Sequence, residues 1–155
     1  MKYELVVFDW DGTLLDSAGA IVRAIQCACR DLELPIPDDS RARHVIGLGL
    51  VDALSHAVPE LPAERYQAMV ERYRFHYLSR DNELTLFDGV PDMLKRLRED
   101  GRILAVATGK SRQGLERALD HSGLRPLFEA SRCADECHSK PHPQMLDEMM
   151  GEFGV

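Results

Sequence analysis

The chain has no basic excess, no long apolar run and few aromatic residues. Its 155 residues hold 19 Lys and Arg against 26 Asp and Glu, a formal net charge of −7. General nucleic-acid binding needs a basic face to displace counterions, so that class is excluded. Small anions are not, because a metal, a lysine and backbone amides can capture phosphate locally. No apolar stretch approaches the roughly 20 residues of a bilayer-spanning helix, and no membrane partner is expected. No signal peptide precedes Met1-Lys2-Tyr3-Glu4, so a cytoplasmic location is expected. Cysteine is sparse: four residues in two local pairs, Cys27/Cys29 and Cys133/Cys137. The second pair, with His138 and His142, nominally has zinc-ligand spacing. Lys140 stands among these residues and no other cysteine pair lies nearby, which disfavours zinc. Cys27 and Cys29 read as reduced packing residues in an apolar helix.

What is present is ordinary for a soluble globular chain, 45% hydrophobic and 29% charged. Length allows one compact domain, or a domain carrying a small insertion. Leu5-Val6-Val7-Phe8 reads as a buried strand. Helical spacing follows at Ile21, Ile25, Ala28 and Leu32, capped by Asp16 or Ser17 and broken by Pro35 and Pro37. Asp38-Asp39-Ser40 can cap a second helix, and Gly47 and Gly49 predict a bend at 46–50. Beyond Pro59 and Pro62, the stripe Tyr66, Met69, Val70, Tyr73 and Tyr77 predicts a helix with one core face. Pro91 and Gly101 bracket a helix carrying Met93, Leu94 and Leu97. Ile103 to Ala107 predicts a second buried strand, and Leu115, Ala118 and Leu119 a helix closed by Gly123. A short third strand is predicted at Leu127 to Ser131, then a helix from Pro143 with Leu146, Met149, Met150 and Phe153 as its apolar face. Strand alternating with helix predicts an α/β fold with a parallel, Rossmann-like sheet. The strand-free stretch predicts an inserted all-α lobe. The expected division is a core of 1–16 and 85–155 with a helical cap of 17–84.

The chemistry gathers at strand ends, where open α/β sheets bind ligands. Asp9-Trp10-Asp11-Gly12-Thr13 places two carboxylates and a turn-permitting glycine after the first strand. One carboxylate can attack, and the other can hold a metal or move a proton. By itself, an Asp-x-Asp at a strand end is more often a solvated acidic turn. Thr108-Gly109-Lys110-Ser111 ends the second strand before a helix, where a hydroxyl and free amides can cradle phosphate or simply cap the helix. A Walker A loop is excluded, because Leu104 stands where its first glycine belongs. Ser139-Lys140-Pro141-His142-Pro143 supplies a lysine ahead of the last helix.

In this order, these three segments resemble motifs of the haloacid dehalogenase superfamily of phosphohydrolases: Asp9-x-Asp11-Gly12-Thr13 the first, Thr108 the second, and Lys140-Pro141-x-Pro143 the third. The inserted helices, Asp16-Ser17 and Phe87-Asp88-Gly89-Val90 resemble the capped subfamily that includes phosphoglycolate phosphatase and β-phosphoglucomutase. The resemblance implies that Asp9 is the nucleophile forming an aspartyl-phosphate and that Asp11 is the general acid and base. Mg²⁺ would sit at Asp9, the Asp11 carbonyl and the phosphate. Gly12, Thr108, Gly109 and Lys140 would hold the phosphoryl group, Lys140 also balancing charge. Arg41, Arg43 and His44 are candidates to meet a further anionic group of the substrate, though a solvated basic turn explains them equally.

The implied substrate is a small phosphorylated metabolite, phosphoglycolate being the leading candidate. A phosphomutase, a phosphoacceptor signalling module and a non-catalytic fragment are the alternatives. The family's fourth motif, an acidic cluster on a further strand, does not occur before Val155. The first strand is therefore expected at a sheet edge, open to self-association, with weakened Mg²⁺ binding.

Overall fold

The computed structural model describes residues 3–155. These residues divide into two compact units. The first comprises residues up to Asp16, Gly47–Gly49 and Thr85–Val155, and the second Ser17–Ile46 and Leu50–Leu84. The Gly47–Gly49 stretch thus belongs with the sheet, although sequence alone placed it inside the helical lobe.

The first unit is an α/β layer structure around a parallel three-stranded sheet, ordered β1 (Leu5–Phe8), β2 (Ile103–Thr108), β3 (Ala130–Cys133). Val6 lies opposite Leu104 in β2, and Ala105 opposite Ala130 in β3. The central strand is the buried one: Leu104, Ala105 and Val106 are fully covered. β1 is only half-buried, because among the described residues it pairs with β2 alone. Strand alternation sends Ala105 and Ala107 to one face, where they meet Met145 and Met149 of α7 (Gln144–Phe153) together with Leu5 and Val7. Phe8 at the end of β1 and Trp10 just beyond it both meet Phe128 edge to face, at 6.5 and 6.4 Å. Helices α5 (Val90–Glu99) and α6 (Arg112–Ser122) make the crossovers.

Two expectations in this unit are corrected. The third strand begins at Ala130, because Pro126 lies in a single 3₁₀ turn, Arg125–Leu127, that uses the residues assigned to the strand's start. The buried face of α7 is Met145 and Met149, while Leu146 and Met150 are exposed; i and i+4 stack on one stripe, and the sheet selects this one.

The second unit is all helical: α1 (Ala18–Asp31), α2 (Asp39–His44), α3 (Leu50–Ala57) and α4 (Tyr66–Leu78). Ser17 holds the N-cap position of α1, but its hydroxyl makes no capping bond. Asp38 does cap α2, accepting from the Arg41 N–H at 2.8 Å. α1 packs along α4, and Asp31 ties them by accepting from Arg72 and His76 Nε2 at 2.7 Å each. These bonds, that from His76 foremost, hold the Asp31 carboxyl below its usual range. The predicted α4 stripe is buried at Met69 and Val70 and half-buried at its tyrosines, of which Tyr73 and Tyr77 stack at 6.0 Å. Ile25 is 1% exposed. Ile25→Val removes one buried methylene and is expected to cost about 1 kcal/mol, read as a shift in the denaturant midpoint with unchanged slope; no shift would mean that the cavity collapses.

Candidate active site

The site lies at the C-terminal end of β1 and β2. After Phe8 the backbone coils tightly: the amides of Thr13, Leu14 and Leu15 all donate to the Trp10 carbonyl, at 3.2, 3.0 and 3.1 Å. Gly12 makes this possible with φ +73, a region unfavourable for side-chain-bearing residues. Its own N–H donates to the Leu15 carbonyl at 2.9 Å, which closes the turn. The coil leaves Asp9 and Asp11 at the sheet edge, each facing a lysine from a different segment.

Asp9 Oδ1 accepts the Trp10 N–H at 2.7 Å and lies 3.0 Å from Lys140 Nζ. That ammonium also donates to the Ala107 carbonyl at 3.3 Å, which seats it over the end of β2. Asp11 Oδ2 lies 3.1 Å from Lys110 Nζ, a pair whose side chains are only about a tenth exposed. Thr108, the last residue of β2, is fully buried, and its hydroxyl accepts the Lys110 N–H at 3.1 Å. A hydroxyl that accepts one N–H still has a proton to give. Ser111 caps α6 through the Gly114 amide at 3.2 Å, so at that position the plain capping reading applies.

The structure therefore brings Asp9, Asp11, Thr108, Gly109 and Lys140 to one end of the sheet. Lys110 belongs to the group and was missed. The visible signal was a lysine two residues past a strand-end threonine, considered from sequence only as the tail of a nucleotide-binding loop. Gly47 is the other omission: a Cβ built on it would stand 3.3 Å from Asp9 Oδ2. No spacing rule links residue 47 to residue 9.

Arg41 and His44, three apart on α2, share one face. They line a concavity of about 380 Å³ with Asp38, Ser40, Val45 and His56. Arg43 is not part of it. Burial pushes the Cys133 thiol up to about 12. His138 stacks on His142 at 4.5 Å and bonds Gln144.

No three His, Cys, Asp or Glu side chains group as a metal site among the described residues. The Asp9 carboxylate and the Asp11 main-chain carbonyl offer hard oxygen donors only. That set fits Mg²⁺, which commonly takes one or two protein ligands and completes its octahedron with water and substrate phosphate.

The chain matches the family model described as haloacid dehalogenase-like hydrolase over residues 6–155. It is 38% identical over 159 residues to a probable phosphatase, IndB, of Dickeya dadantii, covering 97% of this chain and 68% of that protein. It is also 38% identical over 127 residues to a tyrosine-protein kinase, PtkA, of Mycobacterium tuberculosis, covering 81% of this chain but 43% of the relative. Among solved structures, a predicted phosphoglycolate phosphatase from Haemophilus somnus 129PT superposes with a TM-score of 0.86 at 28% identity, covering all of this chain and 73% of that one. The chain thus spans about two thirds of one relative and less than half of another. No helix of the described residues is long and apolar enough to cross a membrane.

Proposed function

Because the chain belongs to the haloacid dehalogenase-like hydrolases, we propose that it is an Mg²⁺-dependent phosphatase acting on a small phosphorylated metabolite such as phosphoglycolate. The observation that carries this reading is the pairing of two carboxylates with two lysines at one strand end: Asp9 with Lys140 at 3.0 Å and Asp11 with Lys110 at 3.1 Å. The names of the phosphatase relatives support it.

Asp9 attacks phosphorus through a carboxylate oxygen, forming a P–O bond as the ester P–O bond breaks. Asp11, in its acid form, gives a proton to the departing alkoxide. As a carboxylate it then takes a proton from the water that attacks the phosphorus of the aspartyl-phosphate, which releases phosphate and restores Asp9. Lys140 offsets the charge of Asp9 as an anionic phosphoryl group approaches, and Thr108 and the Gly109 amide hold equatorial oxygens. The Asp9 carboxylate and the Asp11 carbonyl would hold Mg²⁺, which when bound neutralises phosphoryl charge. The helical unit of 17–84 would act as a cap that excludes water and selects the ester.

The test is hydrolysis of para-nitrophenyl phosphate with and without Mg²⁺, followed by a panel of phosphate esters. Metal-dependent release of phosphate is expected. Arg41→Ala is expected to change the relative rates across the panel a few-fold, and Arg43→Ala to leave them alone, since only Arg41 lines the concavity. Identical relative rates in both variants would take this face out of substrate choice.

A further inference from the structure

The three residues Gly47-Leu48-Gly49 leave the helical unit, cross the catalytic end of the sheet and return. Two oxygens of Asp9 have different surroundings there. Oδ1 is held by the Trp10 N–H and by Lys140, whereas Oδ2 faces Gly47. Gly47 has φ +98, and a Cβ on it would stand 3.3 Å from Oδ2 and 3.7 Å from Lys140 Nζ. A side chain here would be strained and would fill space beside the carboxylate.

Two contacts keep this strap in place. The Gly49 N–H donates to Ser139 Oγ at 2.8 Å, with the serine next to Lys140 in the chain. The other contact is a steric allowance. A Cβ on Gly109 would stand 2.2 Å from the Leu48 carbonyl oxygen and 2.7 Å from that of Gly47, both main-chain atoms that no rotamer change can move. The strap can lie where it does only because residue 109 is bare.

We propose that Ser139 and Gly109 are positioning residues, which hold the Gly47–Gly49 strap against the Asp9 carboxylate so that the bare Cα of Gly47 forms the wall beside its attacking oxygen, Oδ2. Ser139 need not touch the reacting atoms, and Gly109 acts on the strap through its missing side chain, apart from the role of its amide. The wall limits how a phosphoryl group lines up with Oδ2, and a misplacement of about 1 Å can cost on the order of a hundredfold in rate. The inference rests on the phosphatase reading, because Oδ2 is an attacking atom only there.

The experiment measures two quantities in the wild-type chain and in Ser139→Ala, Ser139→Thr and Gly109→Ala. One is the hydrogen-exchange protection of the Gly49 amide by NMR. The other is kcat and KM on para-nitrophenyl phosphate with Mg²⁺. Ser139→Ala is expected to lower Gly49 protection by about tenfold or more, and kcat/KM on the order of tenfold, with most of the loss in kcat. Ser139→Thr keeps the hydroxyl and is expected to restore both. Gly109→Ala is expected to displace the strap and lower both further; if that variant fails to fold, the serine pair decides alone. Wild-type kcat/KM in Ser139→Ala, or failure of Ser139→Thr to recover it, overturns the proposal. Turnover unchanged by Ser139→Ala removes the strap argument alone, whereas a wild-type chain without turnover removes the phosphatase reading and this inference with it.

Discussion

Asp9→Asn is expected to abolish turnover of phosphate esters, by at least about three orders of magnitude in kcat. An amide has nearly the shape of a carboxylate, so the fold should survive: the Asn carbonyl can still accept the Trp10 N–H that Asp9 Oδ1 accepts at 2.7 Å. What disappears is the anionic oxygen that, on the proposed mechanism, would bond to phosphorus. The effect therefore separates chemistry from folding, and circular dichroism with a thermal melt should match wild type while phosphate release stops. Acid-quenched protein incubated with labelled ester should carry no label in the variant. Wild-type turnover by Asp9→Asn would show that another group attacks.

Lys140→Ala is the second large effect, expected to lower kcat/KM by about a hundredfold to a thousandfold. The lysine reaches Asp9 Oδ1 at 3.0 Å and the Ala107 carbonyl at 3.3 Å, which places its charge between the nucleophile and the end of the central strand. Without it, a carboxylate would approach an anionic phosphoryl group with only Mg²⁺ to offset the charge, and like charges at contact distance repel. Stability should change little, because both side chains of the pair remain about a quarter exposed and solvent screens them. Steady-state kinetics and a melt on the same preparation check both halves. A loss of activity that tracks a lowered melting temperature would assign Lys140 to structure instead.

Local signals in the sequence anticipated most of the elements. Leu5 to Phe8 and Ile103 to Ala107 read as strands because β-branched and apolar runs end at turn residues, and α1 read as a helix from its 3.6-residue period. Misses came where a neighbour decides. Nothing local says that Met145 rather than Leu146 faces the sheet, since both are apolar on adjacent stripes. The third strand starts three residues late because Pro126 rigidifies a turn while Phe128 turns toward Phe8. At the site, Asp9, Asp11, Thr108 and Lys140 could be picked out because each follows a strand or precedes a helix. Gly47 could not, since it reaches Asp9 through a left-handed backbone turn between two helices, and glycine pairs of that kind ordinarily mark only a bend. Lys110 was in plain view, and only the partner Asp11, a hundred residues away in the chain, gives it a role.

The quartet of Asp9, Asp11, Lys110 and Lys140 carries two negative and two positive charges, which cancel. The chain around it is formally −7. On the phosphatase reading, an approaching phosphate ester would therefore meet no positive funnel of side chains; the net positive charge at the site would be that of bound Mg²⁺, screened beyond a Debye length of about 8 Å at physiological salt. Capture on such a surface is decided at contact, where one lysine can turn from its aspartate to the ligand. The encounter then runs at the rate of unsteered docking rather than electrostatically guided association. On that reading, anion capture would rest on short-range exchange of partners within the quartet and on bound Mg²⁺ rather than on long-range attraction to the chain.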